Sequence, residues 1–187
     1  MAEDNLQGQP SVQLGDKTGA DLGNLKRPQN WVNKLEIDAK MGQDPVKDVA
    51  NANWLLISQG IQSVTPSSND KSQSVSFWND KGFQETDVTS KKISFQFKGS
   101  RVVGDPAQDF IASKFLDLGD ACRTLFRWTN QSGHVITANV TISKVVAMGG
   151  NADADQTFSF ELDLNGKPVE SDDGISLDGT KGTAVKN

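Results

Sequence analysis

Strict alternation of apolar and polar side chains marks three segments of this 187-residue chain, "KKISFQFKG", "HVITANVTIS" and "TFSFELDL". Successive side chains of a β-strand point to opposite faces, so a period of two indicates a strand with one buried face. Each segment is therefore predicted to be a strand of an antiparallel sheet that covers a core on one side. The inward positions are Ile93, Phe95, Phe97, Ile136, Ala138, Val140, Ile142, Phe158, Phe160, Leu162 and Leu164.

One segment has the period of an α-helix instead. Asp105 suits the N-cap, Pro106 suits the first helical position, and Gln108 stands where a capping-box partner reaches back. Gly119 is a suitable C-terminal stop, so the sequence predicts an amphipathic helix over about residues 106–118. Its apolar stripe consists of Ala107, Phe110, Ile111, Phe115 and Leu118.

Weaker alternation predicts further strands in "NKLEIDA", "WLLISQGIQSV", "SQSVSFW" and "RTLFRWT". The resulting fold class is mainly β, an antiparallel β-sandwich or partly closed barrel of about seven strands flanked by one α-helix. We expect a flexible N-terminal arm over residues 1–30, a β domain over 31–168 with a long polar loop at about 66–85, and a flexible C-terminal tail over 169–187.

Composition narrows the possible functions. The chain has 19 basic and 24 acidic residues and a net charge of −5, so a general affinity for nucleic-acid phosphates is not expected. The single cysteine, Cys122, excludes an internal disulfide framework and a cysteine-rich zinc site. The N-terminus lacks the pattern of a signal peptide, and no stretch approaches the apolar length of a membrane span.

Candidate catalytic chemistry is sparse. His134 is the only histidine, so a nucleophile and base pair would have to combine it with Cys122. A buried structural thiol beside a turn histidine is the commoner arrangement. We therefore predict no enzymatic activity, no metal site and no cofactor. The four tryptophans could form a sugar-stacking platform, although at scattered strand positions they more often serve as core or interface anchors: Trp31, Trp54, Trp78 and Trp128.

The order of these features resembles the major tail proteins, or tail tube proteins, of long-tailed, siphovirus-type phages. The likeness covers roughly residues 30–168 and lies in the run "VNKLEIDA", the polar segment at 66–85, the helix opened by "GDPAQDF" and the final hairpin ending in "TFSFELDLNGKP". It is a likeness of pattern and order. The resemblance implies a virion protein, made in the host bacterial cytoplasm, whose six copies form rings that stack into a hollow tube for DNA delivery.

The resemblance also implies partners and site residues. The chain would bind itself within and between rings, and would meet tape measure, tip and terminator proteins, while DNA would pass through without specific binding and no membrane would be contacted. The acidic positions expected to face the lumen are Glu36, Asp38, Glu161 and Asp163. The positions expected to contact the next ring are Val12, Leu14, Leu22 and Leu25 in the arm and Asp70 and Lys71 in the loop.

Two other functions fit the same pattern. A β-sandwich module that binds carbohydrate or a receptor would use the tryptophans, and would remain a monomer at high concentration. The tube protein of a contractile tail or secretion-type system shares the general architecture, so the sequence alone separates it poorly from a non-contractile tail.

Overall fold

The computed structural model describes residues 27–172, which form seven β-strands and one α-helix joined by short 3-10 turns. The strands are β1 Lys34–Asp38, β2 Trp54–Leu56, β3 Ile61–Ser76, β4 Gln84–Ser100, β5 Arg123–Thr129, β6 His134–Val146 and β7 Thr157–Asp172. The helix α1 is Pro106–Ser113, and the 3-10 turns are Asn30–Val32, Val49–Asn51, Trp78–Asp80 and Gly119–Cys122.

All seven strands belong to one antiparallel sheet with the order β2-β1-β5-β6-β7-β4-β3. In the part of the chain that the structure describes, β2 and β3 each pair on one side only, so the sheet is not closed. The prediction of a mainly β fold with about seven antiparallel strands and one helix is confirmed.

The sheet curls around its core. The ring of Phe95 in β4 lies 5.2 Å from that of Phe126 in β5, although two strands separate β4 from β5 in the sheet order. Phe97 and Phe160 stack at 4.4 Å between neighbouring strands. The predicted inward residues of β4, β6 and β7 supply most of this core, which consists of Ile37, Ile57, Phe95, Phe97, Ala107, Ile111, Phe126, Ala138, Val140, Ile142, Phe158, Phe160 and Leu162.

The helix begins as predicted and ends earlier. Asp105 caps it by accepting a hydrogen bond from the Gln108 amide at 2.9 Å, and Pro106 is the first helical residue. The last turn tightens, because the amides of Lys114 and Phe115 donate to carbonyls three residues back. Helix α1 therefore ends at Ser113 and not at 118, and the predicted stripe residues Phe115 and Leu118 are largely exposed. Ala107 and Ile111 are buried as expected.

Gln108 does not reach back as a capping-box partner, which corrects the prediction. Its side chain is buried and links two connections of the sheet. Oε1 accepts from the Val102 amide at 2.8 Å, while Nε2 donates to the carbonyls of Gln59 at 2.6 Å and Ser100 at 3.2 Å. The helix is thereby fixed to the β2–β3 connection and to the end of β4.

The polar loop predicted at 66–85 is wrong in its secondary structure. Strands β3 and β4 pair from Ile61 and Gly99 out to Ser76 and Gln84, so most of this segment is a long β-hairpin. Its outer half is exposed on both faces. Serine, asparagine, aspartate and lysine occupy both faces of this outer half, so its sequence lacks the hydrophobic alternation that predicts a strand. Backbone hydrogen bonds between β3 and β4 hold the two strands together.

The predicted C-terminal tail begins too early. Strand β7 continues to Asp172, and Ser171 pairs with Val135 on β6. The Nδ1 atom of His134 lies 2.7 Å from Asp172 Oδ1 at the end of this pairing. The side chains of residues 169–172 are exposed and do not alternate between apolar and polar. The sequence pattern therefore could not predict that this segment pairs with β6. Residues 1–26 and 173–187 lie outside the described residues.

We predict that Gln108→Ala lowers the free energy of unfolding by about 1–3 kcal/mol, because buried backbone groups lose their partners. Urea denaturation of the full chain measures this change. The matched control is Gln96→Ala on the exposed side of β4, which should change the free energy by less than about 0.5 kcal/mol. An equal loss in both variants would contradict the linking role of Gln108.

We predict that Gly60→Ala is more damaging than Gly104→Ala. Both glycines have positive φ, 68° and 91°, so each alanine suffers left-handed strain of about 1–2 kcal/mol. A Cβ at Gly60 would also lie 2.3 Å from the Ser100 carbonyl oxygen, whereas a Cβ at Gly104 meets nothing within 4 Å. The additional clash should cost about 1–3 kcal/mol in thermal or urea unfolding, and identical stabilities would refute this packing.

Candidate functional site

Four adjacent strands present a continuous polar face on the side of the sheet opposite the core. Cross-strand pairs fix its membership, because Gln96 on β4 pairs with both Thr65 on β3 and Glu161 on β7, and Glu161 pairs with Ser143 on β6. We define the polar face by Thr65, Ser67, Ser94, Gln96, Lys98, Thr141, Ser143, Ser159, Glu161 and Asp163.

Lysine side chains balance the two carboxylates of the polar face. Lys144 pairs with Glu161, and Lys92 Nζ lies 3.1 Å from Asp163 Oδ1. The Lys144 ammonium and the Ser94 hydroxyl hold the pKa of Glu161 below its usual range, and Glu161 in turn raises the pKa of Lys144. The predicted acids Glu161 and Asp163 therefore lie together on one face, but their charges are locally neutralised.

Glu36 lies on a different part of the sheet and is buried. Its Oε2 accepts from Arg127 Nη2 at 2.7 Å, and its Oε1 lies 2.8 Å from Lys34 Nζ. The Arg127 guanidinium also lies over the Trp54 ring, 4.3 Å from its centroid. Glu36 is thus a partner in a structural ion pair, and its predicted position on an open lumen wall is wrong for the folded chain.

Asp38 is fully buried and cannot line a channel. Its carboxylate accepts hydrogen bonds from the amides of Lys40, Gly42 and Asn53, at 2.9, 2.9 and 2.7 Å. These bonds hold both ends of the connection over residues 39–53, which folds over the side of the sheet opposite the core. Asn139 on β6 anchors the connection, because its Nδ2 donates to the Gln43 carbonyl at 2.7 Å. Strand alternation predicts which face Asp38 takes, but not that a connection covers it.

The long hairpin places Asp70 and Lys71 on exposed strand positions. Asp70 accepts a hydrogen bond from the Ser68 hydroxyl at 2.6 Å and lies 3.7 Å from Lys91 Nζ on the opposite strand. Both residues are accessible to another molecule, as the prediction of a ring contact requires, and that contact remains a prediction. The arm residues predicted with them, Val12, Leu14, Leu22 and Leu25, lie outside the described residues.

The end of the hairpin carries aromatic side chains that the sequence reasoning did not single out as a site. We define the hairpin tip as Phe77, Trp78 and Phe83, which are 50%, 102% and 78% exposed. A 3-10 turn over Trp78–Asp80 shapes the tip, and the Phe83 amide donates to the Asp80 carbonyl at 3.0 Å. The available signal was a short run of aromatic residues within a hairpin that is otherwise polar.

A groove lies on the core side of the sheet, beside the connection from β2 to β3. We call it the seam groove; its volume is about 460 Å³. Trp128 lies in its wall with the indole N–H donating to Asn33 Oδ1 at 3.0 Å. The lining residues are Asn30, Trp31, Asn33, Leu35, Ile57, Ser58, Ile61, Gln62, Ser63, Val64, Pro66, Phe95 and Trp128.

The fold separates the residues of the candidate catalytic pair. Cys122 is buried beside the start of β5, where its thiol donates to the Asp117 carbonyl at 3.1 Å. Arg123 pairs with Thr141, whereas His134 begins β6 at the far end of the same strand pair, roughly 23 Å away at the ordinary rise of a strand. The two side chains therefore cannot act as nucleophile and base.

The four tryptophans do not form a single platform. Trp31 and Trp128 line the seam groove, Trp54 lies under Arg127, and Trp78 projects from the hairpin tip. Within residues 27–172, no group of three or more histidine, cysteine, aspartate or glutamate side chains is placed to hold a metal ion. None of the helices described there is long and apolar enough to cross a membrane.

Comparison with known proteins shows a shared fold without detectable sequence similarity. No family model matches the sequence, and no curated protein matches it. Among solved structures, the chain is similar to one in the tail of an empty GTA particle determined with C6 helical symmetry, with a TM-score of 0.62 and 12% identity. A chain in the virion of a native gene transfer agent matches with a TM-score of 0.59 and 12% identity. Each match covers 78% of this chain and 99% of the other, so the fold is that of a protein found in such particles.

Proposed function

We propose that this chain is a structural tail protein of a long-tailed phage or related particle, and that six copies form a ring that stacks into the hollow tail tube. The observation that carries the proposal is the fold shared with a chain of a sixfold symmetric tail, over nearly the whole length of that chain. The open sheet gives this fold a physical reason to assemble.

The unpaired edges of β2 and β3 supply the ring contact. An edge strand exposes a row of backbone donors and acceptors that another strand can satisfy. Because the two edges differ and lie at opposite ends of the strand order, pairing β2 of one copy with β3 of the next is a head-to-tail contact, which closes into a ring when the rotation is correct. Six copies of such a contact match the symmetry of the similar tail.

The polar face is the proposed lumen wall, with Glu161 and Asp163 as its acidic members. Side chains here are hydroxyls, amides, paired ions and one further lysine, Lys98, so passing DNA meets neither an apolar surface nor a strong positive field. The net charge of −5 per chain multiplies to −30 for six copies, which adds weak repulsion of phosphate over the whole ring. DNA would thus slide through without binding.

The rest of the tail follows from the same proposal. The tube would meet a tape measure protein inside it, and tip and terminator proteins at its ends. The protein would be made in the host bacterial cytoplasm and would function in the virion, by self-association and without enzymatic activity.

We expect the purified protein to form rings or hollow tubes as its concentration rises, because edge pairing is satisfied only between copies. Negative-stain microscopy and mass photometry over a concentration series test this, and a ring of six 20.2-kDa chains is the expected unit. A protein that stays monomeric and featureless across the whole series would contradict the proposal.

Charge reversal on the polar face should make tubes retain DNA. The double variant Glu161→Lys, Asp163→Lys leaves Lys144 and Lys92 without their anions and creates a basic wall, so tubes should co-sediment with duplex DNA at low salt and release it at high salt. Tube formation itself should persist.

The matched control places the same charge change on an exposed loop, as Asp153→Lys, Asp155→Lys. These tubes should retain several-fold less DNA than the polar-face variant. Equal retention by both variants would show that the polar face does not line the channel.

A further inference from the structure

The hairpin tip is an apolar surface that no other described part of its own chain covers. Trp78 is fully exposed and Phe83 mostly so, which is unusual for large aromatic side chains at the end of a polar hairpin. The turn beneath them is well defined, since Lys81 and Gly82 both take positive φ and the Asp80 amide donates to the Phe77 carbonyl at 3.1 Å. The tip therefore presents its aromatic rings on a shaped support.

The seam groove is complementary to the hairpin tip, because it is an uncharged concave surface. None of its lining residues is charged, and its walls are mainly aliphatic and aromatic, so its chemistry suits an apolar occupant and not a phosphate or a metal ion. Trp31 stands at the groove and is 81% exposed, which leaves its ring free to contact an incoming aromatic side chain. A volume of about 460 Å³ lies in the range of sites that enclose large side chains or small ligands.

A tip cannot enter the groove of its own chain without breaking the hairpin. The groove is lined by β3 residues up to Pro66, and β3 then continues to Ser76 before the tip begins. At the ordinary rise of a strand the tip stands roughly 33 Å beyond Pro66. The paired strands point the tip away from the groove along that whole length.

We propose that the hairpin tip of one copy docks in the seam groove of a second copy, with Trp78 as the central anchor and the Trp31 and Trp128 rings around it. The inference rests on the proposed function and adds the partner surfaces to it. An apolar projection on a molecule that also carries a distant apolar groove generates a head-to-tail contact, which propagates from copy to copy. Aromatic anchors in uncharged pockets are typical centres of such interfaces.

Site-specific cross-linking tests the contact. One sample carries Asn79→Cys beside Trp78 at the tip, and the other carries Ser58→Cys in the groove, both with Cys122→Ser to remove the native thiol. Asn79 and Ser58 are exposed, and a serine at the buried Cys122 position keeps a donor for the Asp117 carbonyl, so the fold should persist. A short thiol-reactive cross-linker should join the two chains into a mixed dimer when the samples are combined at a concentration at which the protein assembles.

The matched control carries Asn151→Cys in place of Ser58→Cys. Asn151 is an exposed position in the β6–β7 connection, and this control should give several-fold less mixed dimer.

Removal of the anchor provides an independent readout. The variant Trp78→Ser, Phe83→Ser should raise the concentration needed for assembly roughly 30-fold or more, the effect of losing a hot-spot anchor. The control Phe115→Ser, Leu118→Ser removes two other exposed apolar side chains and should shift it several-fold less.

Microscopy of the same samples separates the two proposals. If rings or tubes form while tip–groove and control cross-links are equal, the docking proposal is overturned and the proposed function stands. If cross-linked dimers form selectively without rings or tubes, docking stands and the tube function is overturned. A cross-link within a single chain carrying both Asn79→Cys and Ser58→Cys, with no mixed dimer, would also overturn docking to a second copy.

Discussion

The incomplete closure of one curled sheet is the constraint on which the rest of this structure depends. The aromatic core draws β4 toward β5 across the inside of the curve, yet β2 and β3 stop short of pairing with each other. Backbone groups on those two edges have no sheet partner within the described chain, and an apolar groove lies beside the connection that joins β2 to β3. A closed barrel would have removed both edges, and with them the reason to bind another copy.

The connections hold the sheet in this open form. Gln108 ties the helix to the segments that precede β3 and follow β4, and Asp38 closes the long connection between β1 and β2. Both side chains are buried and satisfied by backbone groups, so they stabilise one particular shape of the sheet. The long hairpin projects from that shape, because its outer half has no core to cover and is stabilised by backbone pairing.

The local sequence pattern predicted those parts of the fold in which the burial of a side chain follows from its position in its own strand or helix. Phe158, Phe160 and Leu162 alternate with polar residues and are all buried, and Asp105 and Pro106 start the helix as their chemistry requires. The local pattern could not predict burial that arises when a segment distant in sequence folds over a residue. Asp38 alternates like a solvent-facing residue, but a connection folds over it, while the polar strands of the hairpin lack any periodic signal. The end of the helix was also misplaced, since Phe115 and Leu118 continue the helical period beyond the surface on which α1 packs.

Hydrogen–deuterium exchange of the free and the assembled protein measures the state of the sheet edges directly. In the monomer, the β3 amides that β4 leaves unpaired should exchange rapidly, together with the outer amides of β2, while the core amides of β6 and β7 stay protected. On assembly the edge amides should become protected and the core should not change. Edge amides that exchange equally fast in both states would contradict the claim that unpaired edges drive this chain to bind its own copies.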